Sequence, residues 1–140
     1  MPATATSQTL FDGERVAIMK FDFTTTDSSG ETNVVKVNPA SLTPSNSGGG
    51  ACNSVTLLKV SGLTSGMSVR MFWDANTPLM IETIPPNTQY VQDYSNIGGL
   101  INNAGSGKNG NITFSTYDTG SGDAYTVILE MQKHYVNPYA

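Results

Sequence analysis

The chain has 140 residues, with seven Lys and Arg against eleven Asp and Glu, a net charge of −4, and one residue each of His, Cys and Trp. A lone His and a lone Cys supply neither a set of soft metal ligands nor an internal disulfide, and at most one imidazole for a nucleophilic site. The basic residues are scattered, no two of them adjacent, which excludes the Lys/Arg clusters that nucleic acid or an anionic membrane surface requires.

At this length one domain can bury a sizeable core. Thr, Gly, Ser and Asn supply 57 of the residues, a composition suited to strands with polar outer faces, tight turns and long surface loops. No apolar run reaches the length of a membrane span. The opening MPATATSQTLFDG has neither the cationic region nor the apolar core of a secretory signal, so synthesis in a cytoplasm without export is the expectation.

Residues 1–13 read as an N-terminal arm of mostly Thr, Ala and Ser that carries Leu10 and Phe11. Over residues 14–26, Ala17, Met19, Phe21 and Phe23 alternate with Lys20, Asp22 and Thr24, the period of a long half-buried strand. Residues 27–30 are a turn signal and residues 32–38 return as a second strand, so the two are expected to pair as a hairpin. Pro39 ends that strand because it removes a ladder donor. Residues 39–54 form a long loop of small residues, with Cys52 as a small residue at a strand edge. Strands are expected at 55–61 and, after a turn over 62–66, at 67–74, where Met67, Val69, Met71 and Trp73 share one face. Residues 79–84 form the next strand, stopped by Pro85 and Pro86, and 89–94 fits either a short strand or one helical turn. Residues 95–111, rich in Gly and Asn, are a loop. The last strands lie at 112–117 and 125–134, joined by a hydrophilic turn over 118–123, and 135–140 is a C-terminal tail.

Seven strands and an optional eighth, with no 3.6-residue pattern of useful length, predict an all-β fold. The expected architecture is a single antiparallel β-sandwich over 14–134 with extended terminal arms; jelly-roll topology is one option and a small barrel the alternative. Phe21, Phe23, Leu57 or Leu58, Val69, Met71, Trp73, Ile81, Phe114, Val127 and Leu129 are the expected core.

The chemical motifs fail on inspection. Asp118-Thr119-Gly120 matches the triplet of aspartic proteases, but that chemistry needs two aspartates sharing a proton, and the single triplet sits in a hydrophilic turn that reads as a hairpin. Residues 105–110 have a phosphate-loop flavour, yet Asn102 and Asn109 stand where Gly and Ser or Thr are required, and no helix follows. Residues 118–123 lack the oxygen spacing and closing Glu of a calcium loop. His134 ends the last strand with no second His to share a metal. No catalytic residue, cofactor or metal is therefore expected.

Apolar anchors in terminal segments are suited to docking, which makes Leu10, Phe11, Tyr135 and Tyr139 the candidate partner-binding residues. Loops 39–53 and 95–111 are secondary contacts, since long loops on a rigid scaffold carry function.

The stretches FDGERVAIMKFDFTTT at 11–26 and GGLINNAGSGKNGNITFSTYDTGSGDAYTVILEMQK at 98–133 resemble small virion structural proteins of tailed bacteriophages, especially marine and cyanobacterial ones. The nearest kind is the capsid decoration, or cement, protein. The resemblance covers most of the chain in pattern, 11–133, and consists of strand-plus-turn phrases without a catalytic signature. It implies a β-sandwich made in the host cytoplasm and seated on the outer capsid surface of the virion. Its implied partners are the major capsid protein and further copies of itself, as a symmetric oligomer, a trimer. The alternative is a glycan- or receptor-binding module of a fibre, neck or tail, with Trp73, Tyr90, Tyr94 and Tyr117 as stacking platforms. An enzyme ranks third.

Overall fold

A computed structural model describes residues 3–46 and 48–136. They form nine strands: β1 (Ala3–Asp12), β2 (Val16–Thr25), β3 (Val34–Val37), β4 (Cys52–Ser65), β5 (Ser68–Trp73), β6 (Leu79–Ile84), β7 (Gln89–Asp93), β8 (Ile112–Tyr117) and β9 (Ala124–Tyr135). The only helical elements among the described residues are single 3-10 turns at Pro39–Ser41 and Ser95–Ile97.

A five-stranded sheet, β1-β2-β9-β4-β7, packs on a four-stranded sheet, β3-β8-β5-β6. Within them β2 pairs with β9, β3 with β8, β4 with β7 and β5 with β6, all antiparallel. That nested order, a ribbon of strand pairs folded over itself, is the jelly roll. The sandwich expected from period-2 patterning is the fold, in its jelly-roll form rather than as a small barrel.

The inner faces carry the apolar phase of each strand. Phe21, Leu57, Val69, Met71, Phe114, Val127 and Leu129 have no exposed surface, and Phe23 and Trp73 are 2% exposed. Phe21 meets Phe114 edge-on at 5.4 Å across the two sheets, and Phe23 stacks on Tyr125 at 5.4 Å. Leu57 rather than Leu58 is the core residue, because an irregularity between Leu57 and Lys59 turns Leu58 out of the alternation. Ile81 is only partly buried, and the fully buried residue of β6 is Ile84. The cause is the register shift on that pair: Glu82 faces Met71 while Met80 faces Phe72, so Ile81 is the bulged residue.

The predicted connections change more than the predicted strands. β2 and β3 do not pair; β2 lies between β1 and β9 in one sheet and β3 beside β8 in the other. The turn after β2 thus crosses between sheets, as does the turn over 118–123, since β8 and β9 also lie in different sheets. Gly62 does not open a turn: β4 runs through it to Ser65, and a Cβ there would meet Ile84 Cδ1 at 2.6 Å. Of the two readings of residues 89–94, the strand holds, followed at once by the 3-10 turn. Residues 3–12 are not a free arm but β1, paired with β2 from Ala3↔Thr25 to Asp12↔Ala17.

Candidate functional site

β1 stands at the open end of the five-stranded sheet, and among the described residues it pairs with β2 alone. Its register puts Ala5, Ser7 and Thr9 opposite Phe23, Phe21 and Met19, on the face that β2 turns to the core. Yet every residue from Thr4 to Phe11 is exposed. The four-stranded sheet does not reach this far, so the fifth strand overhangs the sandwich with both faces in solvent.

Strand edges are normally blunted by charge, proline, bulges or shortness, because unpaired backbone groups recruit other chains. The other three edges follow that rule. β3 has four residues and includes Lys36, β7 has five and ends on Asp93, and β6 lies between Pro78 and Pro85. β1 has ten residues, and none from Ala3 to Phe11 is charged or Pro. Its one irregularity falls between Thr9 and Phe11, at Leu10. Leu10 is 46% and Phe11 55% exposed, so two large apolar side chains stand at the end of an unguarded edge.

The predicted partner-binding residues separate here. Leu10 and Phe11 sit together on β1, whereas Tyr135 is half-buried and donates its hydroxyl to the Glu14 carbonyl. Tyr139 lies outside the described residues. Tyr135 belongs to a polar knot under the β1–β2 turn. Its centre is Lys133, whose side chain is fully buried and whose Nζ lies 2.6 Å from Asp12 Oδ1 and donates to the carbonyls of Gly13 and Thr43, each at 2.8 Å. Thr43 donates to Asp12 through both its N–H and its hydroxyl, and Glu14 accepts from Ser45 and the Asn46 N–H. Burial works against both charges of the central pair. The mutual hydrogen bond, with Thr43 on the Asp12 side, nevertheless holds Asp12 below and Lys133 above its usual range. This knot fixes the end of β1 and the 39–46 segment to β9.

The aromatic platforms proposed for a glycan do not assemble. Trp73 is core, and Tyr90 and Tyr94 both donate their hydroxyls to the buried carboxylate of Glu82, which ties β6 to β7 across the sheets. Burial and that carboxylate push both phenols up. Tyr117 is covered by the Arg70 guanidinium, 4.0 Å from its ring centre.

Asp118 adopts a left-handed backbone, φ 58°, at the corner where the chain leaves β8. The Thr119 hydroxyl beside it donates to Thr116, which in turn accepts the Glu31 N–H. His134 lies 2.6 Å through Nε2 from the Thr56 hydroxyl. Among the described residues no group of three or more His, Cys, Asp and Glu could hold a metal ion. Two features escaped the sequence reading: the strand character of β1 and the cleft beside His134. Thr at 4, 6 and 9 was the one signal for the first.

Comparison with protein-family models, with curated proteins and with solved structures finds no match to this chain.

Proposed function

We propose that this chain is a non-enzymatic virion structural protein, a cement protein that decorates the outer capsid surface of a tailed bacteriophage as a trimer. The observation that carries the reading is the β1 edge, long, uncharged, exposed on both faces and ending in Leu10 and Phe11. Such an edge offers a row of backbone donors and acceptors to a strand of the major capsid protein, and the two apolar side chains supply anchors. A cement protein must bridge several shell subunits against the pressure of packaged DNA, and a specific interface needs upwards of about 1,000 Å². Ten residues of added strand extend the compact sandwich toward that area. Jelly rolls serve both capsids and lectins, so the fold alone does not choose between them; the occupied aromatic residues favour the shell over the fibre module.

The test is co-sedimentation of the purified protein with capsids stripped of decoration, together with sedimentation velocity of the free protein. The reading expects saturable binding, capsids that withstand more heat when decorated, and a trimer in solution. A monomer that leaves capsids bare contradicts it.

A further inference from the structure

We propose that the cleft between the start of β4 and the 101–110 segment binds a saccharide bearing a carboxylate, a role separate from shell attachment. The cleft has a volume of about 530 Å³, within the range of sites for small ligands. Asn53 and Thr56 line it from β4, Asn102, Lys108 and Asn109 from the loop, and His134 from β9.

The chemistry of that wall is specific. No Asp or Glu lines the cleft, although the chain carries eleven of them and a net charge of −4. Lys108 takes part in none of the ion pairs among the described residues. A cation without a protein counter-charge, on the wall of a concave site, matches an anionic group of a ligand. The Thr56 hydroxyl, 2.6 Å from Nε2, holds the His134 imidazole in place on the same wall. Asn102 uses its carbonyl on the Ala104 N–H, which leaves its NH₂ as a donor for hydroxyl oxygens. Ile101, 66% exposed, adds an apolar strip suited to the C–H face of a sugar ring. One lysine is too little for a nucleic-acid backbone, and a bare oxyanion would leave the amides and the apolar strip unused.

The site is also preformed. Leu57 and Leu100 exchange backbone hydrogen bonds in both directions, at 3.0 and 2.8 Å, so the loop is pinned to the edge of β4. The Asp74 N–H donates to Asn111, the Asn76 N–H to Ser106, and the Asn109 side chain to Asp74. At Gly110, φ +84°, a Cβ would lie 2.5 Å from the Asn53 carbonyl oxygen, so glycine lets the loop lie directly against β4. A loop already held in place gives up little entropy when a ligand arrives.

The experiment is an amide and side-chain NMR titration of the full chain with three probes: glucuronic acid, glucose and inorganic phosphate. The proposal expects glucuronic acid to shift the resonances of Asn53, Asn102, Lys108 and His134, with glucose and phosphate much weaker. Lys108→Ala should weaken glucuronic acid binding about tenfold or more, the size of a lost hydrogen bond to a charged group, with an unchanged spectrum outside the cleft. His134→Ala should weaken it less. Phosphate binding as tightly as the sugar acid would overturn the saccharide. Shifts confined to other surfaces, or a Lys108→Ala protein that folds and binds glucuronic acid unchanged, would overturn the site.

Discussion

Lys133 Nζ lies 2.6 Å from Asp12 Oδ1, with the lysine side chain fully buried and the aspartate 16% exposed. The pair joins the last strand to the end of the first, and both charges are held in their ionised forms. Breaking such a pair from one side leaves a mostly buried charge without its partner, so Lys133→Met should cost about 3 kcal/mol in urea unfolding. The pH dependence follows from the two directions. Asp12 is depressed in the fold, so its contribution is complete above its ordinary value of 3.8 and fades as pH falls through the lower folded value. Lys133 is raised, so its contribution is complete below 10.5 and fades as pH rises through the higher folded value. The stability difference between wild type and Lys133→Met should therefore be flat at neutral pH and shrink at both extremes.

Trp73 closes the inner face of β5 and is 2% exposed. Trp73→Ala should cost about 3–5 kcal/mol by chemical denaturation, the range for deleting a large buried ring. A loss below about 1 kcal/mol would mean that the two sheets do not close over it.

Gly66 carries the chain from β4 to β5 at φ +85°, and a Cβ there would fall 2.0 Å from Asp123 Oδ1. Asp123 also accepts the Gly120 N–H at 2.6 Å, so it cannot move without opening the 118–123 corner. Gly66→Ala should destabilise by about 2–4 kcal/mol, strain and clash together. Gly98 has a similar φ, +82°, and open space around it. Gly98→Ala should cost only about 1 kcal/mol, the backbone contribution alone. Thermal melts of the two variants separate the effects.

The alternation of apolar and polar residues revealed most strands because one face of each is buried and the other is wet. It failed where that condition fails. β1 shows no apolar phase, since both of its faces are exposed, and ATATSQTL therefore read as an arm. It also failed at Ile81, where one bulged residue reverses the phase of β6. Pairing was hidden for another reason. Residues 27–30 look like a hairpin turn locally, but the partner of Phe21 in β9 is Val127, and nothing near β2 announces it. At the candidate site, Leu10 and Phe11 were legible as apolar side chains without an apolar strand around them. The bond from Tyr135 to the Glu14 carbonyl was not, because a backbone acceptor 121 residues away leaves no mark in composition.

Leu10 and Phe11 are exposed, so replacing both by Ser should change folding stability by less than about 1 kcal/mol. Thr6→Lys places a charge on the same edge and should be equally silent in the free protein. Either variant should bind capsids at least about tenfold more weakly in co-sedimentation if a few anchors dominate the interface.

The most direct measurement is hydrogen–deuterium exchange of the backbone amides, free and bound to capsids. In the free protein the unpaired amides of residues 3–12 should exchange fast, since their outward side has no strand partner among the described residues. On capsids the account predicts strong added protection over 3–12 and little change in the already protected central strands β9 and β4. Protection confined to other surfaces while 3–12 exchanges as before, or no protection anywhere, would contradict it.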